Sequence, residues 1–523
     1  MKQYFILFIT LFTITTLFAG NNLEIIDWSH AGNQFEIPKN VKQITLNNVG
    51  AKPNQPSFDN SVIFLNALKS LNGEFGVIEL EAGTYHFKKP ISIPSNILIK
   101  GKGSDKTILD FNLGGNGDLI SIQGKTSNTS TNITQEIKKG TNTITVADAA
   151  AFKKDDYVLV KQSANNLLYS NWAYNHFYQI ERIIQIKGNT ITLEHAVRLD
   201  YPKSNNPILQ KITPTQNVGI ESLTIKRNDA TSGQTSNIYF NYAVNCWVKG
   251  VESINSNYAH ILVQSAANIT ISGNYIHDAF DYGSGGKGYG VVLQFGASNN
   301  FVYDNIAQHL RHSFLLQAEA NGNVLAYNYS YNPYWTGTWL PSGSAGDIVL
   351  HGNYPYANLF EGNIVQNIVI DNSHGINGPD NTFFRNRVEN YGMVMNGNSG
   401  DNMHFIANEI TGSGLLKGML TLNGKQQEIA NNVKGSLQSG TVKETSLINK
   451  NYHAKIGTPN TYNSWKNEAY LRNNKTVKTI VVADKTNIIK QATTTVEPTK
   501  TAITKETTKT KKKKCIRKRK KKK

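Results

Sequence analysis

One unit recurs along the second half of this chain, in segments 268–276 (NITISGNYI), 299–307 (NNFVYDNIA), 323–330 (NVLAYNYS), 358–365 (NLFEGNIV), 381–388 (NTFFRNRV), 402–410 (NMHFIANEI) and 427–433 (QEIANNV). Each is a short alternating strand that ends on an Asn and leads into another strand. The aligned residues are Asn274, Asn305, Asn328, Asn363, Asn386, Asn408 and Asn431, and two earlier units, 217–223 and 245–251, put Leu223 and Val251 in the same slot. Successive spacings are 28, 23, 31, 23, 35, 23, 22 and 23 residues. A base period of 23 with three short strands and polar turns predicts an all-β chain, a parallel β-helix in which one unit is one coil. Coils then stack at the inter-strand distance of ~4.8 Å. An Asn repeated in every coil predicts a ladder, because Asn tolerates the left-handed conformation and its amide bonds both backbone and the next Asn.

The departures from 23 carry the functional information. The long intervals exceed it by 5, 8 and 12 residues, and the extra material falls in 227–237, 282–290 and 332–347. All three stretches sit at a similar offset after the aligned slot. Insertions at one point of a repeat emerge on one side of a solenoid, which is where a binding face is expected.

Charge says less than it first suggests. The chain of 523 residues has a formal charge of +17, but segment 491–523 holds 14 Lys/Arg against Glu497 and Glu506, a net of +12, leaving +5 for the other 490 residues. That Thr/Lys-rich stretch has no apolar periodicity and is expected to be a disordered basic tail, solvated without a dedicated partner, with contact to anionic envelope polymer, lipid or nucleic acid as the alternative. At the other end, Lys2, an apolar run from Tyr4 to Phe18, then Ala19 and Gly20 read as a signal peptide over 1–20. The run is too short for a membrane anchor. Two cysteines, Cys246 and Cys515, exclude a disulfide scaffold. The expected order is a signal peptide (1–20), cap and first coils (21–124), a small inserted β-subdomain (125–205), the main β-helix (206–450), a C-terminal cap region (451–490) and the tail (491–523).

The residues of the N-terminal part resemble the pectin lyase-like superfamily of right-handed parallel β-helices, in particular its pectate-lyase-like domain. Val49-Gly50-Ala51-Lys52, then Phe58-Asp59 and the helical stretch 61–70, are similar to that domain's lead-in segment and capping helix. Segments 77–85 (VIELEAGTY) and 91–103 (ISIPSNILIKGKG) look like its first two coils. The resemblance covers about 40–450, interrupted over 125–205. It departs from the pattern after Ala51, where Lys-Pro-Asn-Gln replaces the usual acidic run. The paired-Asp, Gly-His-Gly and Arg-x-Lys motifs of polygalacturonases are not found, and Ser373-His374-Gly375 is only a partial triplet. The resemblance implies extracellular polysaccharide lyases, hydrolases, epimerases or non-catalytic adhesins and tailspikes, and fold alone does not choose among them.

In that superfamily the Asn ladder lies between the second and third strands. By resemblance, the strand after each insertion is therefore the first strand, and it forms the glycan groove. Alternation along these strands turns Val263, Leu293, Leu316, Leu350, Ile370, Met395 and Leu422 inward. One step on, Gln264, Gln294, Gln317, His351, Asp371, Asn396 and Asn423 form an outward polar column. Four residues before these lies a second column: His260, Gly290, Ser313, Asp347, Asn367 and Gly392.

Two columns of hydrogen-bonding groups suit an extended, hydroxyl-rich polymer. His351 and Asp371 are expected one rung apart, with Asp347 at the other end of the His351 strand, the arrangement a general base or acid needs. His309, Arg311 and His312 crowd the turn into Phe314, and Arg311 is the candidate to neutralise a substrate carboxylate. The aromatics Tyr334, Trp335 and Trp339 of the longest insertion are candidates for stacking on sugars, and Lys287 frames the other loop. That loop, 281–290 (DYGSGGKGYG), lacks phosphate-loop spacing, so nucleotide binding is rejected. No zinc motif is present, and Ca²⁺ is the candidate metal, with Asp278, Asp281 and Asp347 as candidate ligands.

The leading expectation is a secreted β-helix enzyme, periplasmic or at the cell surface, that cleaves an acidic extracellular polysaccharide by β-elimination. His351 and Asp371 would supply the base, with His312 and Asp347 beside them and Arg311 as the neutralising charge. The alternatives are hydrolysis by two carboxylates among Asp347, Asp371 and Glu319, and a non-catalytic glycan-binding β-helix.

Overall fold

The computed structural model describes residues 26–283, 286–337, 346–435 and 446–448. The expected signal peptide, Trp339, the cap region 451–490 and the basic tail lie outside the described residues. Among those described, no helix is long and apolar enough to cross a membrane.

The chain winds into a right-handed parallel β-helix. The second strands of successive coils form one parallel sheet that runs from Lys42–Thr45 and Gly76–Glu79 to His404–Ile406 and Glu428–Ala430. First and third strands form the other walls. First-strand register carries one inward residue onto the next: Leu293 pairs with Leu316, Leu316 with Leu350, Leu350 with Ile370, and Ile370 with Met395. These inward residues belong to one continuous core with Val263 and Val291. Its aromatic members also stack, Phe360 on Phe383 at 4.6 Å and Phe383 on Phe405 at 5.1 Å between ring centroids.

The single described α-helix, Ser61–Ser70, closes the N-terminal end of this core. Its buried residues Ser61, Phe64, Ala67 and Leu68 fall on one face at helical spacing. Phe64 meets Phe87 edge-on at 5.8 Å, so the helix covers apolar rungs that would otherwise face water. Asp59 accepts a hydrogen bond from the Ser61 N–H at 3.0 Å and so caps a free donor of the first turn.

The Asn ladder is present and buried. Each side-chain amide donates to the carboxamide oxygen of the next: Asn274 to Asn305 (2.8 Å), Asn305 to Asn328 (2.9 Å), Asn328 to Asn363 (2.9 Å), Asn363 to Asn386 (2.9 Å) and Asn386 to Asn408 (3.0 Å). The last rung is Asn432, at 2.8 Å from Asn408, and not Asn431, which takes the preceding left-handed turn position at φ 55°. A second ladder, not anticipated, joins Asn300, Asn323, Asn358 and Asn381 at the turn before the second strand.

Two further differences from the sequence reading concern boundaries. The inserted sheet is antiparallel and spans Lys125–Asn132 to Ile208–Thr213, so the segment from 208 belongs to it and not to the solenoid. In the later coils, third and first strands fuse into Ile364–Ile370 and Arg387–Met395, because no insertion separates them. The three long insertions do fall between third and first strands, after Thr224–Arg227, Tyr275–Ala279 and Tyr329–Tyr331.

Asn328→Ala deprives the Val302 carbonyl, the Asn305 amide and the Asn363 carboxamide of a partner at once. The expected cost is about 2–4 kcal/mol, read from the denaturant midpoint. The same change at Asn432, the last described rung, is expected to cost much less.

Candidate functional site

The outward column exists in the expected register. Gln123, Asn241, Gln264 and Gln294 are paired rung to rung, and the inward register carries the column on through Gln317, His351, Asp371 and Asn396. Each column residue is the last of a first strand or the residue just past its end, and the next residue often turns left-handed, as in Ser265, Phe295 and Ala318. The column is not an open polar face. Its amides bond to each other, Gln317 to Gln294 at 2.7 Å and Gln294 to Gln264 at 3.2 Å, and Gln294 and Gln317 are buried. A loop of the inserted subdomain lies along it, with Ala164, Leu168, Ala173 and Phe177 packed on Ala318 and Phe295.

At the rung where Gln gives way to His and Asp, the column becomes chemical. His351 Nδ1 is hydrogen-bonded to Asp371 Oδ2. The other oxygen, Oδ1, accepts from the Ser373 backbone N–H at 2.7 Å and the Ser373 hydroxyl at 2.6 Å. Burial pushes the Asp371 carboxyl up, but the bonds from His351 and Ser373 outweigh it and hold the group below the usual carboxylate value. His351 keeps 9% exposure beside exposed Ser373, and the His374 ring stands edge-on to it at 4.8 Å.

A second set of rings approaches from the insertion side. His312 lies 5.9 Å from His351, and Tyr289 lies 5.0 Å from His312. The Arg311 guanidinium sits over Tyr289 at 5.8 Å and donates to the Gly283 carbonyl of the Gly-rich loop. Burial, reinforced by the neighbouring His351 and Arg311, pushes His312 down to about 3. His312 is therefore neutral, with Nδ1 bonded to the Gly346 carbonyl at 3.0 Å and Nε2 without a partner among the described residues. Arg311 and the His351–Asp371 pair thus belong to one run of contacts, separated by two rings.

Other candidates are placed elsewhere. Asp347 is fully buried: its Oδ1 accepts from Ser330 at 2.6 Å and its Oδ2 from the backbone N–H groups of Gln366 (2.7 Å) and Asn367 (2.9 Å). Burial raises its carboxyl to about 6 against those bonds. His260 is likewise buried, held by Ser253 at 2.8 Å and the Asp278 carbonyl at 2.9 Å. These two members of the second column are therefore enclosed by neighbouring chain.

The acidic candidates for Ca²⁺ are engaged separately. Asp278 bonds His277 at 2.8 Å, and Asp281 pairs with Lys287 at 3.1 Å. Among the described residues, no three His, Cys, Asp or Glu side chains gather to hold a metal ion. Trp335 is buried against Tyr391 at 5.2 Å and is not an exposed stacking ring. Tyr334 is exposed but already stacked on Tyr282 at 4.3 Å. Glu319 is fully buried, and burial raises its carboxyl well above the usual range.

The sequence reading missed the contribution of the inserted subdomain. Ser170 Oγ is 3.0 Å from His374 Nδ1, and Trp172 meets His374 edge-on at 5.3 Å. Asn353, at the turn after His351, accepts the backbone N–H groups of Tyr169 and Ser170, both at 2.9 Å. The only sequence signal was Tyr169 and Trp172 among the Asn and Ser residues of this loop, with nothing to tie it to a rung 180 residues away.

Residues 212–367 match the family model described as "Right handed beta helix region". No curated protein matches the chain. Among solved structures, the chain is similar to the tailspike gp61 of Pseudomonas phage phi297, at 14% identity over 71% of this chain and 65% of that one, with a TM-score of 0.51. It is also similar to the Gp54 tailspike of Acinetobacter baumannii bacteriophage AP22, solved in complex with A. baumannii capsular saccharide (15% identity, 73% and 62% covered, TM-score 0.49). A third is the A-module of the Azotobacter vinelandii mannuronan C-5 epimerase AlgE6 (13% identity, 75% and 96% covered, TM-score 0.34). The chain spans slightly less than two thirds of the length of either tailspike. At these identities the likeness is one of fold.

Two titrations test the electrostatics, each followed by carboxyl NMR. In His351→Ala, burial of Asp371 loses its main opposing bond, so the Asp371 pKa is expected to rise. Asp347 should titrate near pH 6, so its contribution to stability falls as pH rises from about 4 to about 6. Asp347→Asn should remove that slope, about 2–3 kcal/mol in denaturant midpoints compared at pH 4 and pH 7.

Proposed function

The chain is a right-handed β-helix protein of the pectin lyase-like fold, and from its site we propose that it is a polysaccharide lyase that cleaves a uronate-containing glycan by β-elimination. The observation that carries this reading is the His351–Asp371 pair at the edge of a column of amides. Asp371, kept ionised, accepts the proton on His351 Nδ1, which leaves Nε2 with a free lone pair. Nε2 removes the proton α to the uronate carboxyl. The C–H electrons form the C4–C5 double bond, the C4–O glycosidic bond breaks, and the leaving oxygen takes a proton from water. Arg311, whose guanidinium has donors beyond the one bound to Gly283, is the group to neutralise the carboxylate as charge develops.

The hydrolytic alternative needs two carboxylates facing one bond. Of Asp347, Asp371 and Glu319, two are fully buried, and Asp347 is saturated by hydrogen bonds. That disfavours hydrolysis. The basic tail and the apolar N-terminal run support export and retention at an anionic envelope.

Incubation with polygalacturonate and alginate should produce the ultraviolet absorbance of an unsaturated sugar end. His351→Ala should lower the rate by at least about 10²-fold. New reducing ends without that absorbance would refute elimination. Arg311→Ala should slow turnover of the free acid far more than that of its methyl ester.

A further inference from the structure

We infer that the inserted subdomain carries a sugar-stacking subsite, formed by Trp172 and Tyr169, that binds the pyranose ring adjacent to the one held at His351. This rests on the reading of His351–Asp371 as a glycan-cleaving pair and adds a binding element from a different part of the chain.

Exposure is the first argument. Ten large apolar side chains are exposed among the described residues, and three of them lie on the two segments joined by the Ser170–His374 bond: Tyr169 at 70%, Trp172 at 42% and Ile376 at 40%. The other exposed aromatic in that set, Tyr334, already has Tyr282 stacked on it. Apolar rings left in water at one place mark a surface that something covers.

Rigidity is the second. Trp172 stands on a short 3-10 turn, Asn171–Ala173, whose last residue is fully buried. The Asn353 side chain pins the Tyr169 and Ser170 backbone, and Ser170 bonds His374. Gly375 approaches so closely that a Cβ there would lie 2.6 Å from Tyr169 Cβ. The indole is held by T-shaped contacts with Phe295 at 5.8 Å and His374 at 5.3 Å between ring centroids. Exposed rings on so constrained a backbone lose little conformational freedom on binding, as a preorganised subsite requires.

Chemistry names the occupant. One imidazole, His374, separates Trp172 from His351, so a ligand on the indole continues into the catalytic edge. The rim is polar: Ser373 and Asn372 are exposed, and Asn396 is half-buried. Apolar faces with hydroxyl-binding groups at their edge match a pyranose, which has C–H groups on its face and hydroxyls at its rim.

The test uses the full chain with His351→Ala, so that binding is measured without turnover, against polygalacturonate and alginate by affinity electrophoresis. Adding Trp172→Ala should weaken binding by about 10-fold, and Tyr169→Ala should weaken it too. Trp172→Phe should keep most of the affinity, and circular dichroism should be unchanged throughout. Equal binding by the Trp172→Ala and parent proteins would overturn this inference while leaving the elimination reading intact. If the wild-type chain neither binds nor cleaves any of these polymers, both fall together.

Discussion

The stacked Asn ladder is the interaction on which the rest of this structure depends. A parallel coil has no hairpin to set its register, so something must forbid each turn from slipping by one residue. The carboxamides do so because each one bonds in three directions. Asn328, for example, accepts from the Asn305 side chain and backbone, donates to Asn363, and donates to the Val302 carbonyl across the turn. A slip by one residue would break all of these in a buried place, where unmet polar groups are costly. A second ladder through Asn300, Asn323, Asn358 and Asn381 locks the other end of the second strand.

With register locked at both ends of one strand, every other position becomes a column. That is why residues 20 to 35 apart in sequence touch, and why His351 and Asp371 can form a pair without any local motif. The same regularity makes most rungs self-satisfying: Gln264, Gln294 and Gln317 use their amides on each other. Chemistry begins where an amide that both donates and accepts is replaced by an imidazole and a carboxylate. The remaining oxygen of Asp371 is taken by the Ser373 turn and not by another rung. The inserted sheet then docks over this edge through buried polar contacts, such as Tyr178 to Ser265 at 2.6 Å and Arg198 to Asn321 at 2.9 Å.

What could be read in advance follows from that division. The period, the ladder, the inward Leu/Ile/Val/Met stack and the adjacency of His351 with Asp371 are consequences of one repeat length, so they were legible. The second ladder is also written in the repeat, since several units begin on Asn. Burial was not legible. Alternation says which way a side chain points, not what lies on top of it, so Trp335 and Gln317 read as exposed although both are covered. Nor does a repeat say where an insertion of some 90 residues folds back, and that hid Trp172 and Tyr169.

Asp347 and Asp371 make the distinction sharpest. Both are acidic residues that the repeat turns away from the core, one at the start of a first strand and one just past its end. At the start, the chain of the next coil passes close by and encloses Asp347, and that burial disfavours its charge more than the two backbone N–H groups favour it. Past the end, the turn opens, and the bonds that hold Asp371 come from His351 and Ser373, so its charge is favoured. A carboxylate whose partners are backbone is tied to the fold. One whose main partner is an imidazole at an open edge can orient that imidazole, and through it hold a lone pair towards whatever the groove receives.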